Sequence, residues 1–85
     1  MKHFAFIYFM KPDPEAIRAT VPTHVAHWKN ADVTDYRGGP FADRSGGLIT
    51  FSTESADRAA ALTRNDPFVE KGLLENYWLK EWASE

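Results

Sequence analysis

"HFAFIYFMKP", residues 3–12, decides the fold. Its alternation places Phe4, Phe6, Tyr8 and Met10 on one side of an extended chain and Ala5, Ile7 and Phe9 on the other. Successive side chains of a strand point to opposite faces, so a strand apolar on both is covered on both and lies centrally in its sheet. Pro12 and Pro14 stop it, because proline cannot donate to a ladder. The apolar run falls far short of the roughly 20 residues of a membrane span. It is rich in bulky aromatics and lacks a small-residue cleavage pattern, so it reads as a strand of a cytoplasmic protein rather than a leader.

Working outward from this strand, Glu15 to Thr20 reads as a short helical lead-in. A main helix is expected from about Pro22, since proline is tolerated in a first turn, to about Asn30, with Val21, Val25 and Trp28 as its buried face. Asp32 to Arg37 is a more polar strand suited to a sheet edge, closed by Gly38-Gly39-Pro40. Ser45-Gly46-Gly47 leads into a third strand, Leu48 to Phe51. In "STESADRAAALTR", residues 52–64, Ser55 is the expected N-cap of a second helix, and Asp57 and Arg64 complement its dipole. Leu74 to Trp82 is a last strand with large groups on both sides, Trp78 and Trp82 sharing one of them.

The resulting order, βαββαβ, predicts an α+β ferredoxin-like sandwich: a four-stranded antiparallel sheet with two helices on one face. Helices cover only one side, yet the first strand is apolar on both. The other side is therefore expected to meet the sheet of an identical subunit, making a homodimer through the sheet face. Eighty-five residues make one domain, residues 1–85, with little core of its own, and its 12 aromatics (six Phe, three Trp, three Tyr) fit burial between subunits. The absence of cysteine removes disulfide and thiolate staples. Ten scattered Lys and Arg residues and a net charge of −2 argue against nucleic-acid and membrane partners.

A right-handed crossover brings three segments to one end of such a sheet: His24, the loop around residues 38–47, and Asp66-Pro67-Phe68. His24 falls at the border of the expected helix face, half desolvated and within reach of a loop. That suits a general base or acid held by a carboxylate, and Asp66 is the candidate partner. Gly39, Pro40, Phe41, Ser45, Gly46 and Phe68 are the candidate substrate-binding wall. The alternatives are a packing histidine, an Asp66 that only closes an Asx-type turn, and tryptophans that serve the core or a dimer interface. The glycines fit neither the GxGxxG nor the GxxxxGK[ST] spacing, so no phosphate loop is expected. His24 and His27, at i and i+3, lack further ligands, so neither a metal nor a cofactor is expected.

Four stretches carry a family resemblance across nearly the whole chain: "VPTHVAHW" around His24, "GGPF" at residues 38–41, "SGGLITF" at 45–51, and "STESADRAAALTRNDPFVEKGLLENYWLKEW" at 52–82. With them the chain resembles the YciI-related (YCII) family. The resemblance implies the sandwich of the dimeric α/β-barrel proteins and a His and an Asp before Pro as an acid–base pair, here His24 and Asp66. One characterised relative removes chloride from a chlorinated hydroxylated aromatic, which implies small cyclic or enolisable substrates. The function expected is thus a cofactor-independent isomerase, lyase or dehydrohalogenase-type enzyme moving protons on a small molecule. The rival is a protein that binds a small metabolite in the same cleft without turning it over.

Overall fold

In a computed structural model describing residues 1–85, β1 (Lys2–Met10) runs through the interior of a four-stranded sheet. It pairs antiparallel with β3 (Gly46–Thr53) on one side and with β4 (Leu74–Glu81) on the other. β2 (Thr34–Pro40) adds to β3 as an edge, giving the order β2-β3-β1-β4. Between the strands lie α1 (Pro14–Lys29), α2 (Ala56–Arg64) and a single helical turn, α3 (Pro67–Glu70). The chain is a ferredoxin-like βαββαβ sandwich.

The two faces of β1 meet different surroundings. Phe4, Phe6 and Tyr8 are buried, and register sets them beside Phe51, Ile49 and Gly47 of β3. Trp28 of α1 stacks on this layer against Phe6 and Phe51, and Ala59 of α2 joins the same core. Complete burial of an aromatic ring contributes about 1.5–3 kcal/mol, so this cluster dominates the stability of a chain of this length. The opposite face carries Ile7 and Phe9 in β1, with Leu48 beside Ile7 on one side and Trp78 on the other. Leu48, Trp78 and Trp82 remain exposed there. No helix is long and apolar enough to cross a membrane.

Three local expectations need correction. α1 is one continuous helix from Pro14, and its N-cap is Asp13, whose carboxylate accepts from Ala16 N–H at 3.3 Å. Pro22 therefore lies inside the helix, where it removes the bond to the Arg18 carbonyl; an interior proline costs about 3 kcal/mol, which the packing of Trp28 helps to offset. The buried face is Thr20, His24 and Trp28, whereas Val21 and Val25 are each 41% exposed. Polar Thr20 is tolerated inside because its hydroxyl donates to the Ala16 carbonyl at 2.7 Å. Gly38, Gly39 and Pro40 do not close β2 but belong to it, paired with Ile49, Leu48 and Gly47, and an edge strand has room for the proline. The turn falls instead at residues 41–45, where Asp43 accepts from both the backbone and the hydroxyl of Ser45.

Candidate active site

The corner between α2 and β4 builds the centre of the site. α2 starts at Ser55, whose hydroxyl accepts from Arg58 N–H at 3.1 Å, and ends with Asn65 as C-cap. Asp66 follows in an extended conformation as N-cap of α3, with Pro67 as the first helical residue. Asp66 Oδ1 accepts from Phe68 N–H at 2.7 Å, the capping bond that an Asp-Pro turn provides. That bond fixes the carboxylate and leaves Oδ2 aimed at α1.

Oδ2 accepts two more bonds, from His24 Nδ1 at 2.8 Å and from Trp28 Nε1 at 2.6 Å. Residues 24 and 28 stand one turn apart on the same helix face, so one carboxylate oxygen reaches both. Asp66 has no exposure at all, and His24 is 8% exposed. Asp66 is thus a turn residue and a histidine partner at once. A carboxylate oxygen can only accept, so Nδ1 carries the imidazole proton and, in the neutral ring, the lone pair is on Nε2. Nε2 has no partner within the chain, yet no buried side-chain nitrogen or oxygen is left without one, so Nε2 reaches the molecular surface.

Aromatic rings frame this imidazole. Phe68 stacks on it with centroids 4.1 Å apart and planes 20° apart, and Tyr8 meets it edge-on at 5.9 Å. Burial, the Asp66 carboxylate and the neighbouring Tyr36 push the Tyr8 phenol up to about 12. Burial and Asp66 raise Tyr36 as well. The folded chain therefore keeps the Tyr8 proton at pH values where an unfolded chain has released it, and stability falls as pH rises from 10 through about 12. Alkaline titration followed by phenolate absorbance should show a late step near pH 12 that is missing in Tyr8→Phe.

The other expected site residues are distributed differently. Phe68 joins the pair, as described. Gly39, Pro40 and Phe41 line a groove of about 720 Å³ together with His3, Arg37 and Trp82. Gly39 lies beside Leu48, on the sheet face away from the helices, so this groove does not open at His24. Ser45 is held in the turn by Asp43. Gly46 packs on the backbone of Tyr8, where a Cβ would overlap the Tyr8 carbonyl oxygen. His27 is tied to the Leu62 carbonyl, which accepts from its Nε2 at 2.8 Å, and no three His, Asp or Glu side chains converge. Tyr8, Trp28 and Tyr36 were missed as neighbours of the pair. Trp28 was legible from its spacing to His24, and Tyr8 from its place as the one phenol among the phenylalanines on the core side of β1.

Comparison with known proteins agrees with this architecture. The 5-chloro-2-hydroxyhydroquinone dehydrochlorinase of Burkholderia phenoliruptrix, solved with 2,5-dihydroxybenzoquinone, superposes with a TM-score of 0.78 at 22% identity, covering 98% of this chain and 95% of that one. A Pseudomonas aeruginosa protein of known structure gives a TM-score of 0.65 at 13% identity over 98% and 92% of the two chains. SnoaB, a cofactor-independent oxygenase from Streptomyces nogalater, gives 0.56 at 9% identity over 98% and 93%. At these identities the likeness is one of fold. No curated protein sequence matches the chain. The YCII-related domain matches residues 1–83, and the chain belongs to the YCII-related family.

Proposed function

We propose that the protein is a cofactor-independent enzyme that moves a proton on a small cyclic hydroxylated or enolisable compound, as a dehydrohalogenase, lyase or isomerase does. One observation carries this: Asp66, fully buried, holds His24 by Nδ1 at 2.8 Å while Nε2 is left unpaired at the surface. An imidazole whose far nitrogen is fixed by a carboxylate has a defined tautomer, and the imidazolium formed on proton uptake is stabilised where it forms. Nε2 takes the substrate proton. In the keto tautomer of a halogenated hydroxy-ring, the pair released from the C–H bond beside the carbonyl forms a C=C bond to the neighbouring carbon, from which the halide leaves with its own bonding pair, so the step needs no oxidant. In an isomerisation the same nitrogen returns the proton to another carbon.

The fold shared with a dehydrochlorinase makes 5-chloro-2-hydroxyhydroquinone the first compound to try. Chloride release from it and from related halogenated hydroxy-rings, followed with an ion-selective electrode, is expected for the wild-type protein. A protein inert toward the whole class contradicts the proposal.

The working unit is proposed to be a homodimer through the sheet face bearing Ile7, Leu48, Trp78 and Trp82. Three of these four are exposed in the single chain, and an apolar patch of that kind is uncommon on a monomer. The groove beside Gly39 and Trp82 lies along the same face, so a second subunit would also cover it. Light scattering at micromolar concentration is expected to give twice 9.7 kDa. A monomer under those conditions contradicts the assembly and leaves the chemistry at His24 untouched.

A further inference from the structure

β1 presents three side chains to the core in succession, Phe4, Phe6 and Tyr8, all nine-tenths or more buried. Packing alone is satisfied by phenylalanine at the first two. At the third the ring ends in a hydroxyl that forms no hydrogen bond in the chain, although a buried hydroxyl normally finds a partner. Because no buried polar atom is left unpaired, this hydroxyl, like His24 Nε2, reaches the surface. The two unpaired atoms belong to adjoining rings, and Phe68 touches both, 4.1 Å from the imidazole and 6.0 Å from the phenol.

The sheet beneath is shaped around this hydroxyl. Tyr8 lies opposite Gly47 in the β1–β3 register, and a Cβ on Gly47 would overlap the Tyr8 hydroxyl. In β2, a Cβ on Gly38 would likewise crowd the hydroxyl of Tyr36. Two glycines in neighbouring strands therefore leave room for two phenol hydroxyls on the helix side of the sheet. A Cβ on Gly47 would also lie 2.5 Å from the Tyr8 ring and 2.7 Å from the Gly39 carbonyl oxygen, so the whole phenol, ring and hydroxyl, lies against the bare backbone of β3.

We propose that Tyr8 is a second catalytic residue: its hydroxyl, unpaired at the surface beside the imidazole of His24, donates a hydrogen bond to the substrate oxygen that gains negative charge when His24 removes the proton. Resting on the proposed acid–base role of His24, it defines the substrate class as planar rings with a hydroxyl or carbonyl oxygen conjugated to the carbon that loses its proton. Burial and the nearby Asp66 keep the phenol protonated across the physiological range, so it is available as a donor throughout. A preorganised donor of this kind acts on charge that develops in the transition state rather than on the ground state.

Tyr8→Phe removes one oxygen and leaves the ring packing, so the variant is expected to fold. With 5-chloro-2-hydroxyhydroquinone its kcat should fall by about 10²–10³-fold, the usual loss of one oxyanion donor, with KM changed far less. In a binding arm that needs no turnover, titration with 2,5-dihydroxybenzoquinone, which carries ionised oxygens at neutral pH, should show affinity about 10-fold or more weaker in Tyr8→Phe. Tyr8→Phe with wild-type kcat, alongside an inactive His24→Ala, overturns the role of Tyr8 and leaves the His24 proposal standing. Equal affinity for the quinone in both proteins, or none in either, also overturns it. If His24→Ala is as active as wild type, the acid–base proposal itself falls and the donor role falls with it.

Discussion

Asp66→Ala is expected to remove most of the stability of the fold. The change strips the partner from three donors at once: His24 Nδ1–H, Trp28 Nε1–H and Phe68 N–H. A buried donor left unpaired costs about 1–3 kcal/mol, and three of them come to about 3–9 kcal/mol, more than half of the roughly 5–15 kcal/mol that holds a typical domain together. Asp66→Asn should be milder. Its amide oxygen can still accept from both His24 and Trp28, while its NH₂ group faces the Phe68 N–H and loses the cap. Thermal unfolding by circular dichroism should therefore order the proteins as wild type, Asn, Ala. An Asp66→Ala protein within about 1 kcal/mol of wild type would mean that the carboxylate does not organise this corner.

Gly46→Ala is expected to come next in magnitude, through sterics alone. A Cβ at Gly46 would overlap the carbonyl oxygen of Tyr8 and lie 2.8 Å from the Phe9 Cα. Both are backbone atoms of the strand held on each side by β3 and β4, so neither can swing away as a side-chain tip would. Overpacking costs about 1–3 kcal/mol where side chains can adjust, and a rigid backbone neighbour puts this site at or above the upper end. At about 4–8 °C per kcal/mol for a chain of this size, the melting temperature should drop by roughly 12–24 °C. Gly39→Ala is the control: a Cβ there meets nothing within 4 Å, and it should melt within a few degrees of wild type. Equal melting of the two variants would contradict the packing described here.

The fold was legible because β1 states its position openly. Apolar residues on both sides of residues 3–10 require cover on both, and the order of the remaining elements leaves one common solution. Ser55 was legible as a cap for the same local reason, since a hydroxyl before an alanine-rich run has one good use. α1 was misread because two signals competed. Pro22 can open a helix, but Asp13-Pro14 opens this one, and the later proline is carried inside it by the burial of Trp28. Its buried face was misassigned because Thr20 and His24 are polar; their burial depends on acceptors at Ala16 and Asp66, which periodicity does not register.

The candidate pair was partly legible. Topology alone brought His24 near Asp66, but the short reach of Oδ2 to both His24 and Trp28 depends on the exact turn of α3. Gly38 and Gly39 looked like loop glycines and are strand residues. At Gly38 the reason is the hydroxyl of Tyr36, which a Cβ would approach to 2.5 Å, a contact between residues two apart that an extended strand creates. Tyr8 escaped notice because a phenol in an aromatic strand reads as core, and its unpaired hydroxyl becomes informative only once its neighbours are placed.

The acid–base role of His24 is tested most directly by the two histidines of α1 side by side. Rates of chloride release from 5-chloro-2-hydroxyhydroquinone should be measured for wild type, His24→Ala and His27→Ala at equal folded concentration. A positioned general base contributes about 10²–10⁴-fold, so His24→Ala should lose activity on that scale. His27, bonded to the Leu62 carbonyl rather than to Asp66, should be dispensable for the rate. His24→Ala turning over substrate as fast as wild type would contradict the account.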